Sequence, residues 1–356
     1  MKIFQLILSD KISGDLRYAN ELCIGMHIYF KDIQFDYKII NTELSEDDIN
    51  LINTYDYIFI HNIENNRKQY NQLINNITTK KVLFIANQNV KKFISKIDIE
   101  HIGDLLSSCY KIVLNKNIKP LYDYINKLTI DESKLLQLEY IYNSDYTVIN
   151  IPKHKEIIQI SNKGLNSKYD LFIKLFENKQ NYFKDFIWKI YGCEKNIQNL
   201  SIDKLFIDKK TNKESNITNI NNQILSKEKI NIYPIIHNGS LKSIILNTFF
   251  ACCFDNFDYI NYTILDIIYN GAIPVFNIKY AKNIKVNSKQ SIYDVIKGVY
   301  IDDKKLIMDS TIIEMTKFIQ SESTYKALSL RNIKICDQLF HPKKNITNLL
   351  SKLNNE

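Results

Sequence analysis

Glycine and proline are scarce: the 356 residues include eight glycines, five prolines and a single tryptophan. So little Gly and Pro excludes a collagen-like or Gly/Pro-rich low-complexity chain. With 45% hydrophobic and 24% charged residues, the chain has the composition of a folded soluble protein. The six cysteines, at positions 23, 109, 193, 252, 253 and 336, show no C-x-x-C spacing. They indicate neither a zinc site nor a disulfide framework. No apolar run reaches the length of a membrane span. The opening run IFQLILS is short and passes straight into DKISGD, unlike a secretory signal. A reducing cytoplasm is the expected compartment, with no membrane contact. A D-x-D metal signature is also missing; Asp47-Asp48 and Asp302-Asp303 are adjacent pairs whose side chains diverge, and they read as solvated loop charges.

Ile, Asn, Lys and Tyr are used heavily, a bias that an AT-rich genome would produce. The net charge is +8. A basic surface suits a polyanion, either nucleic acid or the phosphates of a nucleotide. Codon bias toward lysine explains the same number, since the lysines are scattered and form no long basic arm.

Length sets a prior of two domains, each with its own core. In the first half, short apolar runs alternate with helical patterns. Strands are expected at Lys2-Ser9, Phe35-Ile40, Tyr55-His61, Lys81-Ile85 and Tyr110-Leu114, with helices at Leu16-Tyr29 and Arg67-Ile77. The pattern restarts after the stretch Ser144-Pro152, in which Thr147-Ile151 reads as a linker strand. Strands are expected at Ile157-Ser161, Lys204-Asp208, Lys229-Ile236 and Tyr300-Asp302. Helices are expected at Tyr169-Lys179, Leu241-Ala251, Ile312-Ile319, Thr324-Gln338 and Asn345-Leu353. Such alternation implies doubly wound parallel sheets, which bind ligands beyond the carboxyl ends of their strands. The loops Ser9-Gly14 (with Ser13 and Gly14), His61-Asn65 and Ala86-Asn89 are therefore expected to line one wall of a cleft. His61 is a candidate general base there, or a strand-end histidine with a structural bond.

The most informative segment is DYINYTILDIIYNGAIPVF, Asp258 to Phe276. Asp258 is followed by seven residues and a second acid, Asp266. Thr263, Leu265, Ile267 and Ile268 give the stretch an apolar face, so a buried helix is expected. Gly271 suits the helix C-cap, and Pro274 blocks helix continuation and opens a strand. An acid in so apolar a stretch needs a partner, and a carboxylate can accept both hydroxyls of a ribose. A second segment, Lys163-Gly164-Leu165-Asn166-Ser167-Lys168, precedes an expected helix. Its two lysines, with the positive end of that helix, suit a diphosphate.

Laid out this way, the chain resembles the DNA alpha-glucosyltransferases of T-even bacteriophages. The run Asn261-Tyr262-Thr263-Ile264-Leu265-Asp266, continuing through Gly271-Ala272-Ile273-Pro274-Val275-Phe276, is similar to the family's Glu-Tyr-Thr-His-Leu-Glu and Gly-Thr-Ile-Pro-Val-Phe. The resemblance implies an α/β chain of GT-B architecture: two Rossmann-like domains facing across a cleft, with a C-terminal helix returning to the first. The boundaries expected are 1–147 for an acceptor domain, 148–335 for a donor domain and 336–356 for the returning helix. It implies that Asp266 holds the donor ribose and that Lys163 and Lys168 hold the diphosphate. Asn261, Tyr262, Thr263 and Asp258 would line the donor site. Asn261 replaces a family Glu near the donor sugar. Asn87-Gln88-Asn89 stands where the family has His-Asp-His, so a family carboxylate is missing.

What the resemblance implies about function is a UDP-sugar donor, UDP-glucose first, with no obligatory metal. The acceptor would be a hydroxymethyl-type pyrimidine in double-stranded DNA, and transfer would retain configuration. The protein would act as a monomer, in the host cell cytoplasm if phage-encoded. Two alternatives stay open: a GT-B enzyme acting on a glycan, lipid or protein, and a non-catalytic nucleotide- or sugar-binding module.

Overall fold

The computed structural model describes residues 1–8, 14–61, 67–85, 99–115, 131–138, 140–144, 155–160, 171–172, 175–176, 183, 185–193, 230–234, 244–254, 260–286, 289–302 and 309–354. In chain order the elements are β1 (Lys2–Ile7), α1 (Gly14–Tyr29), β2 (Gln34–Ile39), α2 (Glu46–Ile52), β3 (Tyr57–His61), α3 (Arg67–Asn75), β4 (Lys80–Ile85), α4 (Ile99–Ser108), β5 (Lys111–Asn115) and β6 (Leu135–Leu138). They continue with β7 (Glu156–Ile160), β8 (Ile187–Cys193), β9 (Ile230–Pro234), β10 (Phe250–Cys253), α5 (Tyr262–Tyr269), β11 (Ile273–Asn277), α6 (Ile278–Asn283), α7 (Ile292–Val295), β12 (Val299–Ile301), α8 (Asp309–Gln320), α9 (Glu322–Phe340) and α10 (Pro342–Asn354). The chain divides into two compact units: Met1–Asn143 with Gln338–Glu356, and Ser144–Asp337.

The first unit is built on a six-stranded sheet in the order β2-β1-β3-β4-β5-β6, every pair parallel. Its inner strands are buried on both faces, so they read as continuous apolar runs without alternation. One layer of core joins Leu6, Ile58, Ile60, Leu83 and Ile112 to Leu73 and Leu105 on the helices. Buried lysines have a local task here. Lys81 Nζ donates to the Ile77 carbonyl at 2.6 Å, just past α3, and Lys111 Nζ to the Ser133 carbonyl at 3.0 Å. Each ammonium satisfies a carbonyl that would otherwise lose its bond to water.

The returning C-terminal helix α10 completes this unit. It crosses α1 at Gly25, where a β-carbon would lie 2.6 Å from Ile346 Cδ1 and 3.2 Å from Pro342 Cβ. At its far end the Leu353 carbonyl accepts the hydroxyls of Tyr57 (3.0 Å) and Tyr110 (3.4 Å). A buried ion pair, Arg17 Nε to Glu21 Oε1 at 2.7 Å, lies on α1. The second Glu21 oxygen accepts the backbone N–H of Asn143 at 2.8 Å, which pins the end of the unit to that helix.

The second sheet runs β12-β11-β10-β7-β8-β9, again all parallel. Counted within the unit, that is the doubly wound 3-2-1-4-5-6 order, whose direction of winding reverses between β7 and β10. Its core packs Ile157, Trp188, Phe250, Cys252, Ile273 and Val275 against Phe172, Phe176 and Tyr325.

Two expectations fail here. A helix was expected over Leu241-Ala251, but among its described residues only 244–247 are helical, and Phe250–Cys253 is a central strand. An unbroken apolar run has no period, so it fits a buried strand as well as a buried helix. Asp47 and Asp48 are not loop charges but lie in the first turn of α2. Ser45 Oγ accepts the Asp48 N–H at 3.1 Å, and Asp48 Oδ2 accepts the Ser45 N–H at 3.3 Å, a reciprocal capping box. Strands β6 and β8 and helix α4 were not anticipated. The segments Thr147-Ile151 and Lys204-Asp208 lie outside the described residues.

Candidate donor site at the switch point of the second unit

Helix α5 is short, and residues Tyr262 through Ile268 are all buried. Its start is set by Asn261, whose extended backbone (φ −130°, ψ 170°) and side-chain oxygen form an N-cap; Oδ1 accepts the Ile264 N–H at 3.0 Å. Its end is set by Gly271. The Gly271 N–H reaches the Ile268 carbonyl at 3.0 Å, and the Ala272 N–H reaches that of Ile267 at 3.2 Å. Together these two bonds make a Schellman motif, which places the residue at Gly271 in the left-handed region. Its φ is 74°, a conformation cheap only for glycine.

Beyond the turn, Ile273 N–H bonds the Phe249 carbonyl at 2.9 Å, and the chain enters β11 through Pro274. A proline in a central strand forfeits a ladder bond. Pro274 sits next to Ala251 of β10 but before the first residue paired with β12, so no donor is missed on that side. Asn277 at the strand's end caps α6 by accepting the Lys279 N–H at 2.9 Å.

Asp266 is 1% exposed. Its backbone carbonyl is held twice by Asn270, through the amide N–H at 3.1 Å and through Nδ2 at 2.7 Å. Asn261 is fully buried, and its Nδ2 has no hydrogen-bond partner among the described residues. A buried amide N–H left unmatched costs about 1–3 kcal/mol, so a partner oxygen arriving with a ligand is favoured. Thr263 is 7% exposed and Tyr262 6%. Four of the expected donor residues, Asn261, Tyr262, Thr263 and Asp266, thus lie on one short helix and its N-cap. Asp258, Lys163 and Lys168 lie outside the described residues. What topology does fix is that β7, which leads into the Lys163 segment, and β10, which leads toward Asn261, are paired neighbours. Both leave the sheet at its switch point, where doubly wound sheets hold ligands.

The first unit has a corresponding switch point between β1 and β3. Gly14 is the first residue of α1, after β1, while Ser13 lies outside the described residues. His61 closes β3 and pairs with Ile7. It is wholly buried, stacked on Phe84 with 4.3 Å between centroids and 17° between planes. Neither ring nitrogen has a hydrogen-bond partner among the described residues. Burial pulls its pKa down to about 3. In this setting the imidazole is neutral across the working pH range and a weak proton acceptor.

Two residues bearing on the site gave no sign in the sequence: Tyr325 and Ser329 of α9, which both donate to the Gly271 carbonyl. They are ordinary polar positions four apart on an amphipathic helix, and nothing local ties them to residue 271. No group of three or more His, Cys, Asp or Glu side chains able to hold a metal ion occurs among the described residues, and no described helix is long and apolar enough to cross a membrane.

No protein-family model matches the chain, and no curated protein matches it by sequence. Solved structures do match its fold. An alpha-glucosyltransferase in complex with UDP and a 13-mer DNA containing an HMU base superposes with a TM-score of 0.70 at 12% identity, over 100% of both chains. An alpha-glucosyltransferase in complex with UDP-glucose and DNA containing an abasic site gives 0.70 at 11% identity over 98% of both chains. HepE of Anabaena, in complex with UDP and glucose, gives 0.57 at 10% identity over 100% of both chains. At such identities the likeness is one of fold: the chain has the GT-B architecture, two parallel-sheet α/β units, in common with these solved structures.

Proposed function

We propose that this protein is a UDP-sugar-dependent glycosyltransferase that modifies a hydroxymethyl-type pyrimidine in double-stranded DNA, with retention at the anomeric carbon. The donor would sit on the second unit (Ser144–Asp337) and the acceptor on the first (Met1–Asn143 with the returning Gln338–Glu356). The observation that carries the reading is the parallel pairing of β7 with β10, the strands that precede the Lys163–Lys168 and Asn261–Asp266 segments in the chain.

In this reading the Asp266 carboxylate accepts the two ribose hydroxyls. The Asn261 Nδ2 donates to an oxygen of the donor. Asp258, Tyr262 and Thr263 shape the same pocket, and Ser13 and Gly14 are further candidate donor contacts. Lys163 and Lys168 neutralise charge that builds on the diphosphate as the sugar–oxygen bond breaks. The incoming hydroxyl attacks on the face the diphosphate leaves, and the departing phosphate oxygen takes its proton. That route needs no protein carboxylate at positions 87–89, where Asn87, Gln88 and Asn89 stand. His61, wholly buried and neutral, does not take the proton in this reading. UDP-glucose is the first donor to try, without added metal. A base within a duplex must leave the stack to be reached.

A glycan, lipid or protein acceptor is the second reading, kept because the full-length likeness extends to HepE, whose complex names UDP and glucose but no DNA. One experiment separates the two. The protein is incubated with duplex oligonucleotides carrying hydroxymethyluracil or hydroxymethylcytosine and a panel of UDP-sugars, and the DNA is digested for nucleoside masses. A nucleoside heavier by one sugar residue supports the DNA acceptor. Donor hydrolysis with no DNA product rejects it in favour of the second reading.

A further inference from the structure

Helix α9 places Tyr325 and Ser329 four residues apart, on one face. Both are buried, at 2% and 3% exposure, and both hydroxyls converge on a single acceptor, the Gly271 carbonyl: Tyr325 by a short bond, Ser329 at 3.1 Å. The Tyr325 ring is seated on Phe249, with 4.7 Å between centroids. Burial pushes the phenol pKa up, so the hydroxyl stays a donor. A carbonyl has two lone pairs, and here both are taken.

Gly271 is the left-handed residue that turns the chain out of α5. The residue before it, Asn270, holds the Asp266 carbonyl by both its backbone N–H and its side chain. An unbroken series therefore leads from α9 to the backbone of Asp266: two hydroxyls, one carbonyl, one peptide link and two further hydrogen bonds. Core packing alone would be served by Phe and Ala at 325 and 329.

We propose that Tyr325 and Ser329 are positioning residues for the donor, fixing the end of α5 and so the placement of Asp266. The inference rests on the reading of Asp266 as the ribose-binding acid. Misplacing a binding group by a fraction of its bond length weakens each bond it makes, without removing the group itself.

The test is UDP titration by calorimetry on the full-length protein and its variants, with thermal unfolding followed in parallel. Tyr325→Phe keeps the ring and removes one bond to Gly271; UDP binding is expected to weaken about 5- to 10-fold, the worth of roughly one hydrogen bond. Ser329→Ala should weaken it about 3-fold, and Ser329→Thr, which restores a hydroxyl, should recover it. In an Asp266→Ala background, Tyr325→Phe should have no further effect, because residues acting in series are not additive. A role in stability alone would lower the melting temperature equally in both backgrounds and leave UDP affinity of the folded protein unmoved. If Asp266→Ala itself binds UDP like the wild type, the donor-site reading fails and takes this inference with it. If Asp266→Ala weakens binding but Tyr325→Phe does not, or if the two effects simply add, the donor site stands and the positioning role is overturned.

Discussion

Gly298 runs so close to Pro274 that a β-carbon on it would lie 2.5 Å from the Pro274 carbonyl oxygen and 2.9 Å from Cγ. The contact seals the start of β12 against the start of β11, the strand that follows the Asp266 helix. The loop is also held from α9, where the Asn332 side chain accepts the Lys297 N–H at 2.9 Å and donates to its carbonyl at 2.6 Å. With backbone on both sides, nothing flexible can yield.

Gly298→Ala is therefore expected to destabilise the fold by about 1–3 kcal/mol through overpacking. Urea denaturation reads this as a lower midpoint at an unchanged slope. A midpoint indistinguishable from wild type would show that the strands separate at no cost.

Asp266→Ala should weaken UDP binding by about 2–4 kcal/mol if two charge-assisted bonds to the ribose are lost. Asp266→Asn keeps the shape and part of the bonding, so it should fall between. Calorimetry on folded variants decides it, and an alanine variant with wild-type affinity removes residue 266 from the site.

Asn261 offers a separation of cap from contact. Asn261→Ala loses the bond to Ile264 and should cost about 1 kcal/mol of stability. Asn261→Asp keeps an acceptor for that N–H and should leave stability within a few tenths of a kcal/mol. It also replaces the unmatched N–H donor by a second acceptor, so KM for the UDP-sugar should rise while the melting temperature holds. Equal kinetics for the aspartate variant and wild type would confine Asn261 to capping.

His61 gives the fold a pH dependence whose sign follows from its burial. The folded pKa is about 3 against 6.5 for the free side chain, so below pH 6.5 the unfolded chain holds the extra proton. Stability is full above pH 6.5 and is lost as pH falls from there toward 3, at about 1.4 kcal/mol per unit. Between pH 7 and 5 the loss from this residue is about 2 kcal/mol. His61→Phe keeps the stack on Phe84 and removes the titration. Its denaturation profile should be flatter over that range by this amount; parallel profiles would mean the ring finds a partner or solvent.

Much of this arrangement could be read from the residues before any coordinates. Strands β1, β3, β4 and β5 announced themselves as apolar runs between helical patterns, because parallel strands covered on both faces have few polar positions. The end of α5 was legible for a different reason: Gly271 and Pro274 each fill a backbone role that few residue types can, whereas the N-cap role of Asn261 was not anticipated. At that end the chemistry was local, and sequence sufficed. Strand β10 was lost because FACC sits in an unbroken apolar stretch with no period to tell strand from helix. Tyr325, Ser329 and Gly298 escaped because their partners are 54, 58 and 24 residues away, respectively, and their importance arises only when the sheet closes.

The first unit is assembled from both ends of the chain, with α10 laid against α1 at Gly25 and the Leu353 carbonyl tied to Tyr57 and Tyr110. On the ribosome this reverses the usual N-to-C order in which domains are finished. The earliest residues must wait, partly uncovered, until α10 has emerged. A stop codon ahead of α10 would thus injure residues 1–143 more than the second unit.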